Sequence, residues 1–200
     1  MLKKTLIKIK WFPAMLVNKL IMKMRNIQYG SHLTLYGRVF IRGTGDIIIG
    51  NNVTITSCIE TDPIGGDSKT ILYAKGGNIR IGDNTGISNT AIVAGKEINI
   101  GKNVMIGGGC KIYDNDFHSI HLENRLLSPD PDVRCSSVNI EDGVFIGAHS
   151  IILKGVTIGK ESVIGAGSVV TRSIPEREIW AGNPAKFIKK IENTGEIAER

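Results

Sequence analysis

Residues 138–171 read VNIEDGVFIGAHSIILKGVTIGKESVIGAGSVVT, and the stretch repeats itself every six residues. Aliphatic side chains recur at Ile140, Ile146, Ile152, Ile158, Ile164 and Val170. Two places before each stands a small or β-branched residue: Val138, Val144, Ser150, Val156, Ser162 and Ser168. Such a period suits neither a helix of roughly 3.6 residues per turn nor one flat strand. It suits a solenoid of very short strands separated by turns. The aliphatic and its partner two places earlier share one face of a strand, so both point inward. Gly147, Gly159 and Gly165 directly follow three of the aliphatics, where they are expected to permit a backbone bend. Three strands per coil would close a triangle of about eighteen residues, and stacked coils would pair in parallel roughly 4.8 Å apart. The predicted fold class is an all-β solenoid.

The register extends upstream with slips. Ile100, Ile106 and Ile112 form one set; Ile81, Ile87 and Val93 form another, paired with Ile79, Thr85 and Ala91. The longer step from Val93 to Ile100 predicts a bulge at Gly95-Lys96. Leu35 to Ile41 and Ile49 to Ile55 keep the rhythm, which places the solenoid over residues 30–173. Breaks in a repeat are where functional loops emerge. The largest comes after Ile112, where the chain reads Tyr113-Asp114-Asn115-Asp116-Phe117-His118-Ser119-Ile120-His121 and leaves the repeat as an excursion over 114–137. Ser128-Pro129-Asp130-Pro131-Asp132 within it rules out regular structure.

The net charge of +6 is concentrated at one end. Lys3, Lys4, Lys8, Lys10, Lys19, Lys23 and Arg25 are interleaved with apolar residues, and residues 1–25 contain no acid. Removing these seven from the 25 Lys and Arg leaves 18 bases against 19 acids, a balance that argues against a nucleic-acid-binding solenoid. The lysines break every apolar run before it reaches spanning length, and no cleavage signal follows. Residues 1–29 therefore read as a basic amphipathic segment that caps the open coil, contacts an anionic membrane surface, or both. The location predicted is cytoplasmic; capping is the favoured role of residues 1–25, and peripheral contact at the inner membrane face is the alternative, compatible with it. Pro13 is expected to interrupt the helix and leave residues 14–25 as the helical piece. At the other end, residues 174–200 read as an extension in which Trp180 packs over the last coil and Pro184 opens a short helix. The three cysteines, Cys58, Cys110 and Cys135, have no metal-type spacing, and Cys110 falls at an inward position as a small apolar filler.

The segments Val144-Phe145-Ile146-Gly147-Ala148-His149, Gly155-Val156-Thr157-Ile158-Gly159, Ile164-Gly165-Ala166-Gly167-Ser168-Val169-Val170-Thr171 and Ala181-Gly182-Asn183-Pro184-Ala185-Lys186 resemble the hexapeptide-repeat acyltransferases. The likeness is greatest to sugar O-acetyltransferases of the maltose and galactoside type and their capsule- and O-antigen-modifying relatives. It is strong over residues 79–190, weaker over 30–60 and absent over the first twenty-five. The resemblance implies a left-handed parallel β-helix, a homotrimer, acetyl-CoA as co-substrate and no required metal. It also implies that His118, matching the histidine of the family's extended loop, is the general base. Imidazole, with an ordinary pKa of about 6.5, suits removal of an alcohol proton near neutrality. Asn89 lies near the family's substrate-binding asparagine, with a turn residue as the alternative. Asp116 either orients His118, binds a sugar hydroxyl or is a solvated loop acid. Matching the motif places acetyl-CoA contacts at Ala148, Ala166, Thr171, Arg172, Lys186 and Lys189. His121 is the rival base, His149 an exterior corner residue and His32 structural.

The expected function is acetyl-CoA-dependent O-acetylation of a saccharide in surface polysaccharide biosynthesis. N-acetylation of an amino sugar and acetylation of a xenobiotic are the alternatives within the enzyme class. A non-catalytic β-helix scaffold is the alternative outside it. A zinc enzyme of the γ-carbonic anhydrase type, built on three histidines, fits poorly with the pair His118 and His121 and the distant His149.

Overall fold

A computed structural model describes residues 2–192, with side chains from Phe12 onward. The aliphatic columns form the axis of a three-faced prism. Its faces are parallel sheets of six, eight and six strands, and the eighth strand of the second face is a final antiparallel addition. The chain visits the first, second and third face in turn, then climbs one coil. Ile140, Ile146, Ile152, Ile158, Ile164 and Val170 are at most 2% exposed, and each sits in a column with its equivalent one coil away. The partner serines are buried too, and their hydroxyls are satisfied by backbone carbonyls. Ser150 donates to Gly147 and Gly165, Ser162 to Pro175, and Ser168 to Gly165.

The glycines after the aliphatics act differently from the bend expected. A Cβ on Gly147 would lie 2.5 Å from the backbone nitrogen of Ala166 in the next coil, so close stacking is what requires glycine there. The left-handed corner comes two residues later, at Gly109, His149 and Gly167, with φ of 76°, 61° and 71°.

One interior assignment changes. The third-face column runs Ile41, Leu72, Ile92, Ile112, Ile152 and Val170, so Ile92, not Val93, points to the axis. The chain turns early because Asn89 takes a left-handed φ of 41°. The surplus residues then fall in the Gly95-Lys96 turn, where the slip was expected.

Both ends also depart from expectation. The N-terminal helix spans Leu2–Met24 without a break at Pro13. Pro13 lies on the exposed side, so water can replace the hydrogen bond it removes. Asn18, 1% exposed, donates to the Gly37 carbonyl at 2.9 Å and accepts from the Val39 N–H at 3.2 Å. With Met22 buried beside it, the helix covers the first coil. At the C-terminus a hairpin replaces the helix expected from Pro184. Glu178–Ala181 joins the second face in parallel, and Lys186–Lys190 folds back antiparallel on it. This return strand pairs the sheet edge that the last coil would otherwise leave open. Trp180 continues the Ile164 column and meets the Phe187 ring edge-on at 6.3 Å, as its capping role predicts. Residues 193–200, the end of the predicted extension, lie outside the described residues.

Candidate active site

The third-face strand Lys111–Tyr113 ends at Asp114, a fully buried carboxylate. It accepts the backbone N–H groups of Gly95, Lys96 and Glu97 at 2.6–2.7 Å, gathering the turn of the coil below. Asn115 then pairs with Cys135 in an antiparallel bridge, and the Ser136 N–H returns to the Asp114 carbonyl at 2.8 Å. The excursion thus leaves and re-enters the prism at a single neck.

Just past the neck the chain turns sharply. Phe117 has a left-handed φ of 62°, and its ring stands edge-on to Tyr113 at 5.0 Å. This turn presents His118, whose side chain is 73% exposed while its Nδ1 lies 3.7 Å from Asp130 Oδ2. That separation is too long for a hydrogen bond, so the carboxylate faces the ring edge without bonding to it. Asp130 is itself pinned, because Oδ2 accepts the Ser119 N–H at 2.7 Å and Oδ1 the Asp132 N–H at 3.3 Å. Ser119 is buried, with its hydroxyl 3.3 Å from Asp132 Oδ2 and accepting the His121 N–H at 3.0 Å. Arg125 donates to the Ser119 and Ile120 carbonyls, both at 2.9 Å. A segment without regular sheet structure therefore holds the backbone that carries the His118 imidazole.

The carboxylate beside His118 is Asp130, which sequence reasoning passed over as part of a Pro-rich turn. Asp116, the residue expected to orient the imidazole, instead pairs with Lys154 Nζ at 2.7 Å. His121 precedes the short helix Leu122–Arg125, makes no capping bond with its side chain and is exposed. Asp114 was also missed; its signal was a carboxylate directly after a strand, one coil above the Gly95-Lys96 slip.

Asn89 lies at a different corner, between the second and third faces, whereas the excursion springs from the corner between the third and first. It is 1% exposed, and its Nδ2 donates to the Asp62 carbonyl at 3.0 Å beneath the loop 58–70. Its Oδ1 is buried without a partner, an orphaned acceptor inside the protein. Beside it, on the outer surface of the second face, a cavity of about 260 Å³ is lined by Thr56, Asp62, Ser88, Met105 and Phe145.

The residues expected to contact acetyl-CoA are likewise divided. Ala148 and Ala166 stack on the Asn89 corner, in a lane of small residues that continues through Gly107 and Gly108. Lys186 and Lys189 are exposed on the return strand at the end of the second face. Thr171 and Arg172 are exposed on the His118 corner. One chain therefore does not gather all the proposed contacts at one corner. His149 occupies its corner by laying its ring over Gly109, where a Cβ would meet Nδ1 at 2.5 Å.

Two of the three cysteines, Cys110 and Cys135, are held away from nucleophilic form. Burial pushes the Cys110 thiol up. Burial also raises that of Cys135, with the charges of Asp114 and Asp116 adding to it. A thiol held protonated is a poor nucleophile. Among the described residues, no group of three or more His, Cys, Asp or Glu converges as a metal site would require.

The family described as "hexapeptide repeat of succinyl-transferase" matches residues 137–172. A curated Escherichia coli K12 protein, "Putative lipopolysaccharide biosynthesis O-acetyl transferase WbbJ", is 32% identical over 167 residues, covering 80% of each chain. The chain belongs to the hexapeptide-repeat acyltransferase family. The three-faced prism is accordingly the family's left-handed parallel β-helix. The Escherichia coli K12 galactoside O-acetyltransferase is 37% identical over 122 residues, covering 60% of this chain and 58% of that one. A point mutant of AntD, an N-acyltransferase from Bacillus cereus in complex with dTDP and Coenzyme A, superposes with a TM-score of 0.69 at 27% identity. That likeness covers 88% of this chain and 89% of that one. Across three of the curated relatives the match spans 58%, 44% and 58% of their length, about half.

Proposed function

We propose that this protein transfers an acetyl group from acetyl-CoA to a hydroxyl of a saccharide used in surface polysaccharide synthesis. The observation that carries the reading is His118, presented just past the neck of the excursion with Nδ1 toward Asp130. That orientation leaves Nε2 free to take a proton from an incoming hydroxyl. The hydroxyl oxygen bonds to the thioester carbonyl carbon, the carbon–sulfur bond breaks, and the proton passes from the imidazolium to the departing thiolate. No covalent enzyme intermediate is needed, in keeping with the two raised cysteine thiols.

The lane of small residues past Ala148 and Ala166 suits a narrow pantetheine arm, and Lys186 and Lys189 suit nucleotide phosphates. Arg172 and Thr171 stand with His118 at the other corner. A homotrimer, in which the His118 corner of one subunit faces the Asn89 corner of the next, would bring the two sets together. In that arrangement the orphaned Asn89 Oδ1 and the cavity beside it lie on the acceptor side. Asp116 remains a candidate for a sugar hydroxyl if Lys154 releases it. Sugar-directed relatives support the acceptor class. The AntD likeness supports a second reading, acyl transfer to an amino sugar nitrogen.

The test is thiol release from acetyl-CoA with a panel of sugars, amino sugars and polysaccharide repeat units. Acceptor-dependent release with hydroxyl-only sugars is expected. Release with amino sugars alone shifts the reading to N-acylation, and none with any acceptor overturns it.

A further inference from the structure

We propose that the outward face of the N-terminal helix docks this protein on an anionic membrane surface. The helix divides its labour by face. Asn18 and Met22 turn toward the first coil and are 1% and 4% exposed. Phe12, Leu16, Leu20 and Met24, spaced four apart, are 59%, 53%, 59% and 77% exposed and line up along the other side. Capping the solenoid therefore does not use this apolar stripe. Lys19 and Lys23 are exposed beside it. On a bilayer their stems would lie along the acyl boundary while the ammonium groups reach the headgroups.

The charge selects the occupant. Residues 1–25 carry seven cations and no acid, while the rest of the chain is balanced at 18 bases to 19 acids. A two-fold contact through this face would set Lys19 and Lys23 against the same residues of a second copy. An anionic lipid surface attracts them, each basic residue adding to the affinity. No helix among the described residues is long and apolar enough to cross a membrane, so the arrangement is one of lying on the surface. The inference stands apart from acyl transfer, because its observations are confined to the helix and its readout is binding.

The experiment is sedimentation of the full chain with vesicles of phosphatidylcholine, with and without about one-third phosphatidylglycerol. Binding to the anionic vesicles is expected to exceed that to neutral ones by roughly tenfold or more, and to weaken in high salt. Leu16→Gln with Leu20→Gln, and separately Lys19→Glu with Lys23→Glu, should each lower vesicle binding by roughly tenfold. Neither pair should move the thermal midpoint, since these side chains do not face the coil; the lysine pair alone decides if the leucine pair unfolds. Absence of binding, or equal binding to both vesicles, overturns the proposal. So does an unchanged vesicle affinity with a fall in oligomer mass in the leucine variant, which would show that a second copy covers the stripe.

Discussion

The wall of residues 138–171 and the excursion of residues 114–137 adjoin each other and are held by opposite means. In the wall every sixth side chain is aliphatic and sealed, and its serine partners bond to backbone carbonyls of their own or the next coil. In the excursion Ile120, Leu122, Leu126 and Leu127 are 71%, 58%, 77% and 57% exposed, so apolar burial contributes little. Directional contacts through Asp114, Asp130, Asp132 and Arg125 hold it instead. A repeated burial pattern gives a rigid support, because each coil makes the same contacts as the last. A few charge-assisted bonds fix the loop that carries one imidazole without tying that ring into the core, so chemistry and stability should separate under mutation.

The sharpest separation is expected at His118. Replacing it by Ala should lower kcat/KM by about 10²–10⁴-fold, the usual worth of a general base. The thermal midpoint should stay within experimental error, because the side chain is largely in solvent. Full activity in the variant would remove His118 from the mechanism, and His121→Ala would then be the next test.

Asp114 is the joint between the two regions, and there the separation should fail. Asp114→Ala strands three backbone N–H groups around a buried void. Bonds to charged groups are worth about 1.5–3 kcal/mol each, so a loss of at least about 3 kcal/mol is expected in chemical unfolding. Acetyl transfer should fall with it, since the neck that carries the His118 turn loosens. A stable variant of normal activity would show that the excursion is anchored elsewhere.

Much of the wall could be read directly from residues 138–171, since a period of six in aliphatics leaves few ways to pack. The register was lost where a single backbone angle decides it. Asn89 is a residue that readily turns left-handed, but nothing in Ser88-Asn89-Thr90 announces that the turn comes one residue early and puts Ile92 inside in place of Val93. The His118 loop was visible as a failure of the rhythm. Its orienting carboxylate was not, because Asp130 lies twelve residues away in sequence and meets the imidazole only after the loop folds back. The C-terminal hairpin was missed for a similar reason. Lys186-Phe187-Ile188-Lys189-Lys190 has no strong local preference, and an open sheet edge recruits it.

Asp130→Asn tests that unseen contact on a smaller scale. It keeps shape and the acceptor for the Ser119 N–H but removes the charge facing Nδ1. A fall in kcat of about tenfold is expected, roughly 1.4 kcal/mol of transition-state energy, with KM for acetyl-CoA unchanged. A residue that merely holds the loop would instead lower the thermal midpoint and raise KM together. Asp130→Glu should recover part of kcat if the charge is what matters.

The smallest effect is expected back in the wall, at Gly167. Its φ is +71° and a Cβ there would meet nothing within 4 Å, so the cost of Gly167→Ala is the left-handed backbone alone, about 1 kcal/mol. His149 already tolerates φ of 61° at the equivalent corner one coil below. Gly167→Asn should therefore cost less than Gly167→Ala, because Asn adopts this conformation more readily. The corner also borders the proposed acetyl-CoA lane, which gives the pair a second readout. If the lane carries the pantetheine arm, both variants should raise KM for acetyl-CoA while leaving kcat near wild type. That is the opposite signature to Asp130→Asn, one contact of the wall against one of the excursion. An unchanged KM in both would move the arm away from Ala166 and leave Lys186 and Lys189 to be tested alone.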